Sequence, residues 1–270
     1  MELQGAVVVV TGGANGIGAA MARRFAANGA MGVVIADLDD TTASEVGADV
    51  DRAGSQAMVM RCDVGDPDQV HALVTATLER FGRVDLFCSN AGVAFGSGLD
   101  AADDQWDLAW RVNVMAHVYA ARAVLPPMLD RGQGYLLHTC SAAGLLTNPG
   151  DAPYTASKHA AVAFAEWLAV TYGDRGIRMS VLCPQGVRTN MLLSGLEAGD
   201  AAARVVAEAG EMLEPEQVAE AAVEGLRAER FLILPHPEVA TYMRRKAEDP
   251  DRWLAGMRRL TARAAGRRPA

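Results

Sequence analysis

Ala6-Val7-Val8-Val9-Val10-Thr11-Gly12-Gly13-Ala14-Asn15-Gly16-Ile17-Gly18 is the stretch from which the fold follows. Its first half is an unbroken apolar run, the pattern of a strand buried on both faces of a parallel sheet. Its second half places glycines at 12, 16 and 18, which permit a tight turn and let backbone N–H groups approach a pyrophosphate. Ile17, Ala20, Met21 and Phe25 then form one helical stripe. A second apolar run, Gly32-Val33-Val34-Ile35-Ala36, ends in Asp37, nineteen residues after Gly18. A carboxylate there accepts hydrogen bonds from an adenosine ribose and repels a 2′-phosphate. The stretch predicts a dinucleotide site that prefers NAD to its 2′-phosphorylated form.

The alternation continues along the chain. Strands are predicted near 6–11, 32–36, 57–61, 84–89, 134–140, 177–183 and 230–234, and helices near 16–28, 40–53, 67–81, 103–125, 154–174 and 215–228. No Pro-, Gly- or Ser-rich linker divides them. The expectation is one α/β domain over 1–235: a single Rossmann-type, doubly wound parallel sheet of about seven strands, helices on both faces, right-handed crossovers. Ligands of such a sheet bind beyond the carboxyl ends of its strands. Residues 190–214 break the pattern. Met191, Leu192, Leu193 and Leu196 are apolar, but Gly195, Gly199 and Gly210 interrupt them. A mobile lid and an ordinary surface connection both fit.

The chemistry is carried by Tyr154-Thr155-Ala156-Ser157-Lys158. A phenol and an ammonium four positions apart share one helix face. A phenol has a reference pKa of about 10, and a nearby cation is expected to lower it far enough for proton transfer. Ser141 lies thirteen residues upstream, at the end of a predicted strand, where its hydroxyl can hold a carbonyl or alcohol oxygen. Together with a hydride carrier these groups suit the interconversion of an alcohol and a ketone.

With these residues in hand, the chain resembles the short-chain dehydrogenase/reductase family over roughly residues 5–235. The glycine spacing fits that family's T-G-x-x-x-G-x-G. Asp63, Asn90-Ala91-Gly92, Asn113, Ser141, Tyr154, Lys158 and Pro184 with Val187 and Thr189 follow in family order. The resemblance implies NAD as cofactor, held by Gly12, Asn15, Gly16, Ile17, Gly18, Asp37, Leu38, Asp63, Val64, Asn90, Ala91, Gly92, Tyr154, Lys158, Pro184, Val187 and Thr189. It implies a catalytic set of Asn113, Ser141, Tyr154 and Lys158, with Asn113 holding a water near Lys158. The family's usual Pro-Gly after the sixth strand is Pro184-Gln185 here, so a side chain points into the pocket or narrows it. The substrate pocket is expected at Val93, Phe95, Ala143, Leu145, Leu146, Gln185, Met191 and Leu192, nearly all apolar.

Composition bounds the rest. The 270 residues have a net charge of −8, but residues 241–270 carry nine Lys/Arg and three acids, so that tail is +6 and the rest −14. No nucleic-acid motif accompanies the charge. Residues 236–270 are read as a basic helical extension docking on the same domain or on a neighbouring subunit. Cys62, Cys88, Cys140 and Cys183 form no C-x-x-C pair and are read as free buried thiols of a cytoplasmic protein. The start has no basic leader, and its apolar run is too short for a membrane span. The five histidines lack metal spacing, so no metal is expected. Helices 103–125 and 154–174 are apolar on more than one side, which predicts a homo-oligomer, a tetramer before a dimer.

The function expected is an NAD-dependent alcohol dehydrogenase or ketone reductase acting on a hydrophobic secondary alcohol. A non-catalytic nucleotide-sensing module, and an enzyme acting on a sugar, hydroxy acid or acyl thioester, are the alternatives. A methyltransferase with a related sheet has no use for Ser141, Tyr154 and Lys158 together.

Overall fold

The computed structural model describes residues 1–266. Arg267 and Arg268 of the basic tail lie outside them. Seven strands form one sheet, all neighbours parallel, in the order β3-β2-β1-β4-β5-β6-β7. They are β1 (Val7–Thr11), β2 (Gly32–Asp37), β3 (Gln56–Arg61), β4 (Leu86–Ser89), β5 (Gly134–Thr139), β6 (Ile177–Leu182) and β7 (Leu232–Ile233). The order reverses between β1 and β4, and a crevice opens there at the strands' carboxyl ends.

The valine run behaves as its pattern demands. Val8 and Val10 pack into the core on one side of the sheet and Val9 into the core on the other. The first core is covered by α1 (Gly16–Ala27), α2 (Asp40–Arg52) and α9 (Pro215–Arg227), the second by α3 (Pro67–Phe81), α5 (Ala116–Asp130) and α6 (Ala152–Tyr172). Half of the chain being apolar supplies both layers.

Two segments differ from the sequence-based expectation, the helix near 103–125 and residues 190–214. The helix predicted near 103–125 is α4 (Asp103–Trp110), a π-helical segment (Arg111–Met115) and α5, which runs on through Pro126 and Pro127. Met128, fully buried in the second core, holds that last turn although two prolines remove backbone donors. Residues 190–214 contain two helices, α7 (Asn190–Glu197) and α8 (Ala201–Glu208), separated by Gly199 at φ +75°. The tail forms α10 (Glu238–Glu248) and α11 (Pro250–Ala264), and α11 packs on α8 and α10 of the same chain. Among the described residues no helix is long and apolar enough to cross a membrane.

Candidate active site

The glycine loop is held by the end of β4. Asn90 Nδ2 donates to the carbonyls of Thr11 and Gly12 at 3.1 Å each, and the Asn90 N–H donates to Thr11 Oγ1 at 3.0 Å. Gly12 sits at φ +62° with Ala91 against it, and a Cβ on Gly18 would lie 2.0 Å from the Gly12 carbonyl oxygen. Asp37 completes the loop from β2. Its Oδ2 accepts from Ala14 N at 2.9 Å and its Oδ1 from Asp39 N at 3.2 Å.

A cavity of about 1270 Å³ runs from this loop across the strand ends. Every residue expected to hold the cofactor lines it except Gly18. Gly18 serves instead as the contact that lets α1 close onto the turn.

Ser141 follows β5, and Tyr154 and Lys158 lie on α6. Lys158 is 3% exposed, and its Nζ donates to the Thr139 carbonyl at 3.0 Å while standing 5.6 Å from the centre of the Tyr154 ring. Ser141 Oγ accepts from Ala143 N at 3.1 Å. The predicted drop in the phenol's pKa is not what this arrangement produces. Burial pushes Tyr154 up to about 12, with Ser141 opposing and Asp151, Cys140 and Cys183 adding to the rise. Lys158 sits over the ring, bonded to a carbonyl, and is itself pulled down by burial.

Asn113 lies in the π-helical segment, fully buried and outside the cavity lining. Its Nδ2 donates to Val93 O at 2.9 Å and Ser157 Oγ at 3.0 Å, and its Oδ1 accepts from Val93 N at 2.9 Å. Both amide donors are spent on fixing the loop after β4 against α6, so a water beside Lys158 cannot take a hydrogen from them. The widened helical turn aims this side chain inward, a use of π-segments common at functional sites.

Of the expected substrate residues, Val93, Ala143, Leu146, Gln185, Met191 and Leu192 line the cavity, whereas Phe95 and Leu145 do not. The backbone N–H of Phe95 is tied to Asp151, and Leu145 turns into a cluster with Tyr242, Met243 and Trp253 after the tight turn Ala142–Gly144. The Gln185 N–H donates to His236 Nδ1 at 3.1 Å, and its side-chain Nε2 is buried without a partner.

Two groups escaped the sequence. Asp151 is 1% exposed and accepts from Tyr154 N at 3.0 Å and from Phe95 N and Gly96 N at 2.8 Å each. It caps α6 at Tyr154 and anchors the loop opposite. The pattern Asp-Ala-Pro before Tyr154 is an N-cap signature that marks it. The second group is the wall formed by α8, α10 and α11, which brings Arg245, Arg252, Arg259 and Arg263 to the cavity. Behind the site, His117 and His138 stack with ring centres 4.2 Å apart. Burial and the Lys158 charge hold His138 down to about 3, and burial with His138 keeps His117 well below its usual value. Among the described residues no group of His, Cys, Asp or Glu is placed to hold a metal ion.

The sequence profile of the family described as short chain dehydrogenase matches residues 6–198. The chain is 35% identical to 1-deoxy-11-beta-hydroxypentalenate dehydrogenase of Streptomyces exfoliatus, over 92% of this chain and 90% of that protein. It is 33% identical to 3beta-hydroxysteroid dehydrogenase 2 of Eggerthella lenta over 70% of this chain and 74% of that one. The crystal structure of a short chain dehydrogenase/reductase from Burkholderia phymatum in complex with NAD superimposes with a TM-score of 0.83 at 30% identity, covering 100% of this chain and 98% of that one. Sequence profile, relatives and fold agree: this chain belongs to the short-chain dehydrogenase/reductase family.

Proposed function

We propose that this protein is an NAD-dependent dehydrogenase that interconverts a hydrophobic secondary alcohol and its ketone, with Tyr154 as general acid/base. The family as a whole supports the coarser statement, an oxidoreductase acting on CH–OH groups. The observation that carries the finer one is the single cavity that joins the glycine loop and Asp37 to Ser141, Tyr154 and Lys158.

The residues present fit a nicotinamide dinucleotide. Gly12 and Gly16 leave the loop backbone bare, Asp37 offers a carboxylate where an adenosine ribose belongs, and Asp63, Val64, Val187 and Thr189 continue the wall. Bound there, the cofactor supplies the hydride acceptor or donor. Everything else falls to the chain. Ser141 Oγ holds the substrate oxygen. Tyr154 Oη gives that oxygen a proton in the reductive direction and takes one in the oxidative direction. Lys158 places a positive charge beside the phenol and would hold the cofactor when it is bound, while Asn113 and Asp151 keep the loop after β4 and the start of α6 in register. Val93, Ala143, Leu146, Met191 and Leu192 present apolar surface, whose burial is worth roughly 25 cal/mol per Å².

The assembly is proposed as a homotetramer, supported by exposed Trp110 on α4 and by exposed Trp167 and Val170 on α6. A monomer in sedimentation at micromolar concentration would refute it. The four free, buried thiols support a cytoplasmic location. The decisive assay is purified protein with NAD⁺ against cyclic, aryl-alkyl and steroid alcohols, following absorbance of the reduced nicotinamide. Turnover that rises with apolar bulk next to the carbinol supports the proposal. A marked preference for sugars or acyl thioesters overturns the substrate class, and no turnover of any alcohol overturns the activity.

A further inference from the structure

The wall that the C-terminal helices add to the cavity has a pattern of its own. Along α11 the lining residues fall into two adjacent stripes. Trp253, Met257 and Leu260 recur at helical spacing and are apolar; positions 252, 256, 259 and 263 form the neighbouring stripe, and three of them, Arg252, Arg259 and Arg263, are basic. Gly256 interrupts the basic stripe, and the position its Cβ would take lies 3.8 Å from Arg259 Nη2. At that distance a Cβ would only touch the guanidinium, so the glycine breaks the stripe without displacing Arg259. Among the described residues none of these three guanidiniums makes an ion pair. Past its N-cap, the cavity side of α11 bears no carboxylate. Packed beside it on the same wall, α8 contributes Val205, Val206 and other small apolar groups.

A wall half apolar and half basic matches a ligand divided in the same way. The geometry points to a substrate that carries a carboxylate on its apolar skeleton, away from the carbinol, with the carboxylate held by Arg252, Arg259 and Arg263 and the skeleton lying on Trp253, Met257 and Leu260. This rests on the dehydrogenase reading above and narrows its substrate class. A planar carboxylate meets the guanidinium fork in two parallel hydrogen bonds. Glu208, Glu248 and the helix-capping Asp200 and Asp249 stand on neighbouring parts of the wall and limit the local positive potential. That balance suits a monoanion better than a dianionic phosphate.

The test uses the full-length enzyme at saturating NAD⁺ with four compounds on one polycyclic secondary alcohol: the parent, a distal carboxylic acid, its methyl ester and a distal phosphate monoester. The acid is expected to exceed the ester in kcat/KM by about two- to fivefold, the range for a carboxylate paired with exposed guanidiniums. Arg259→Gln, and separately Arg252→Gln, should collapse the acid-to-ester ratio toward one through KM. Arg258→Gln, outside the cavity lining, should leave the ratio in place. Equal turnover of acid and ester, or a ratio that survives both substitutions, would overturn this inference alone, as would a phosphate preferred to the acid. Failure to oxidise any of the four would overturn the dehydrogenase reading and this inference with it.

Discussion

Asp151→Ala tests how the fold aims Tyr154, the proposed general acid/base. The carboxylate is 1% exposed and serves three backbone N–H groups, those of Tyr154, Phe95 and Gly96, from two different elements. A hydrogen bond to a charged group contributes about 1.5–3 kcal/mol, so three would sum to roughly 4.5–9. Asp151 borders the cavity, however, and water entering there can satisfy part of what alanine leaves bare. The expected loss is therefore at or below the bottom of that range, about 3–5 kcal/mol, and includes the N-cap contribution. Asparagine should not rescue it. Oδ1 serves Tyr154 and Oδ2 serves Phe95 and Gly96, so an amide nitrogen at either place turns a donor toward a donor. The assay is urea unfolding at fixed protein concentration for wild type, Asp151→Ala and Asp151→Asn, with kcat measured on each under folding conditions. Both variants should lose stability, and kcat should fall because Tyr154 and the loop across from it lose their common anchor. A midpoint for Asp151→Ala within about 1 kcal/mol of wild type, with kcat intact, would refute the reasoning.

Tyr154→Phe keeps the ring and removes the transferable proton, so kcat should drop by about a hundredfold or more while cofactor affinity holds; Lys158→Ala should damage both, as kcat and cofactor titrations would show. NAD should be preferred to NADP by at least about 2 kcal/mol, a figure for an unpaired buried charge, and Asp37→Ala should narrow the gap in kcat/KM between the two cofactors. Because burial holds the Tyr154 phenol up at about 12, its basic form is scarce at neutral pH and grows as pH rises. Alcohol oxidation should accordingly climb across pH 7 to 10, by up to about tenfold per unit, with ketone reduction flat over the same span. A pH profile for oxidation that levels off below pH 8 would show that burial does not dominate.

Much of this protein is local in its chemistry, and that part was legible in the sequence. A valine run buried on both faces, a glycine loop and a helical stripe are neighbours in the chain, and their order dictates a parallel, doubly wound sheet. Tyr154 and Lys158 share a helix face through spacing alone, and Asp37 reaches the glycine loop because β2 must lie beside β1. What depended on the path of the chain in space was not legible. Phe95 and Leu145 look like pocket residues by position, but neither lines the cavity, and Leu145 packs against Ala142, Leu146 and Val239 instead. The direction of the Tyr154 pKa depends on how deeply the phenol is buried against how near the ammonium comes, a comparison of distances that spacing cannot supply. The sequence reading of the substrate pocket, which found nearly all of it apolar, stopped at residues near the strand ends and the segment after β6. The arginines of α11 lie about a hundred positions beyond Tyr154, and only the packing of α11 on α8 brings them to the same cavity. Contacts between elements far apart in sequence are set by which apolar faces find each other, and no local pattern encodes that choice.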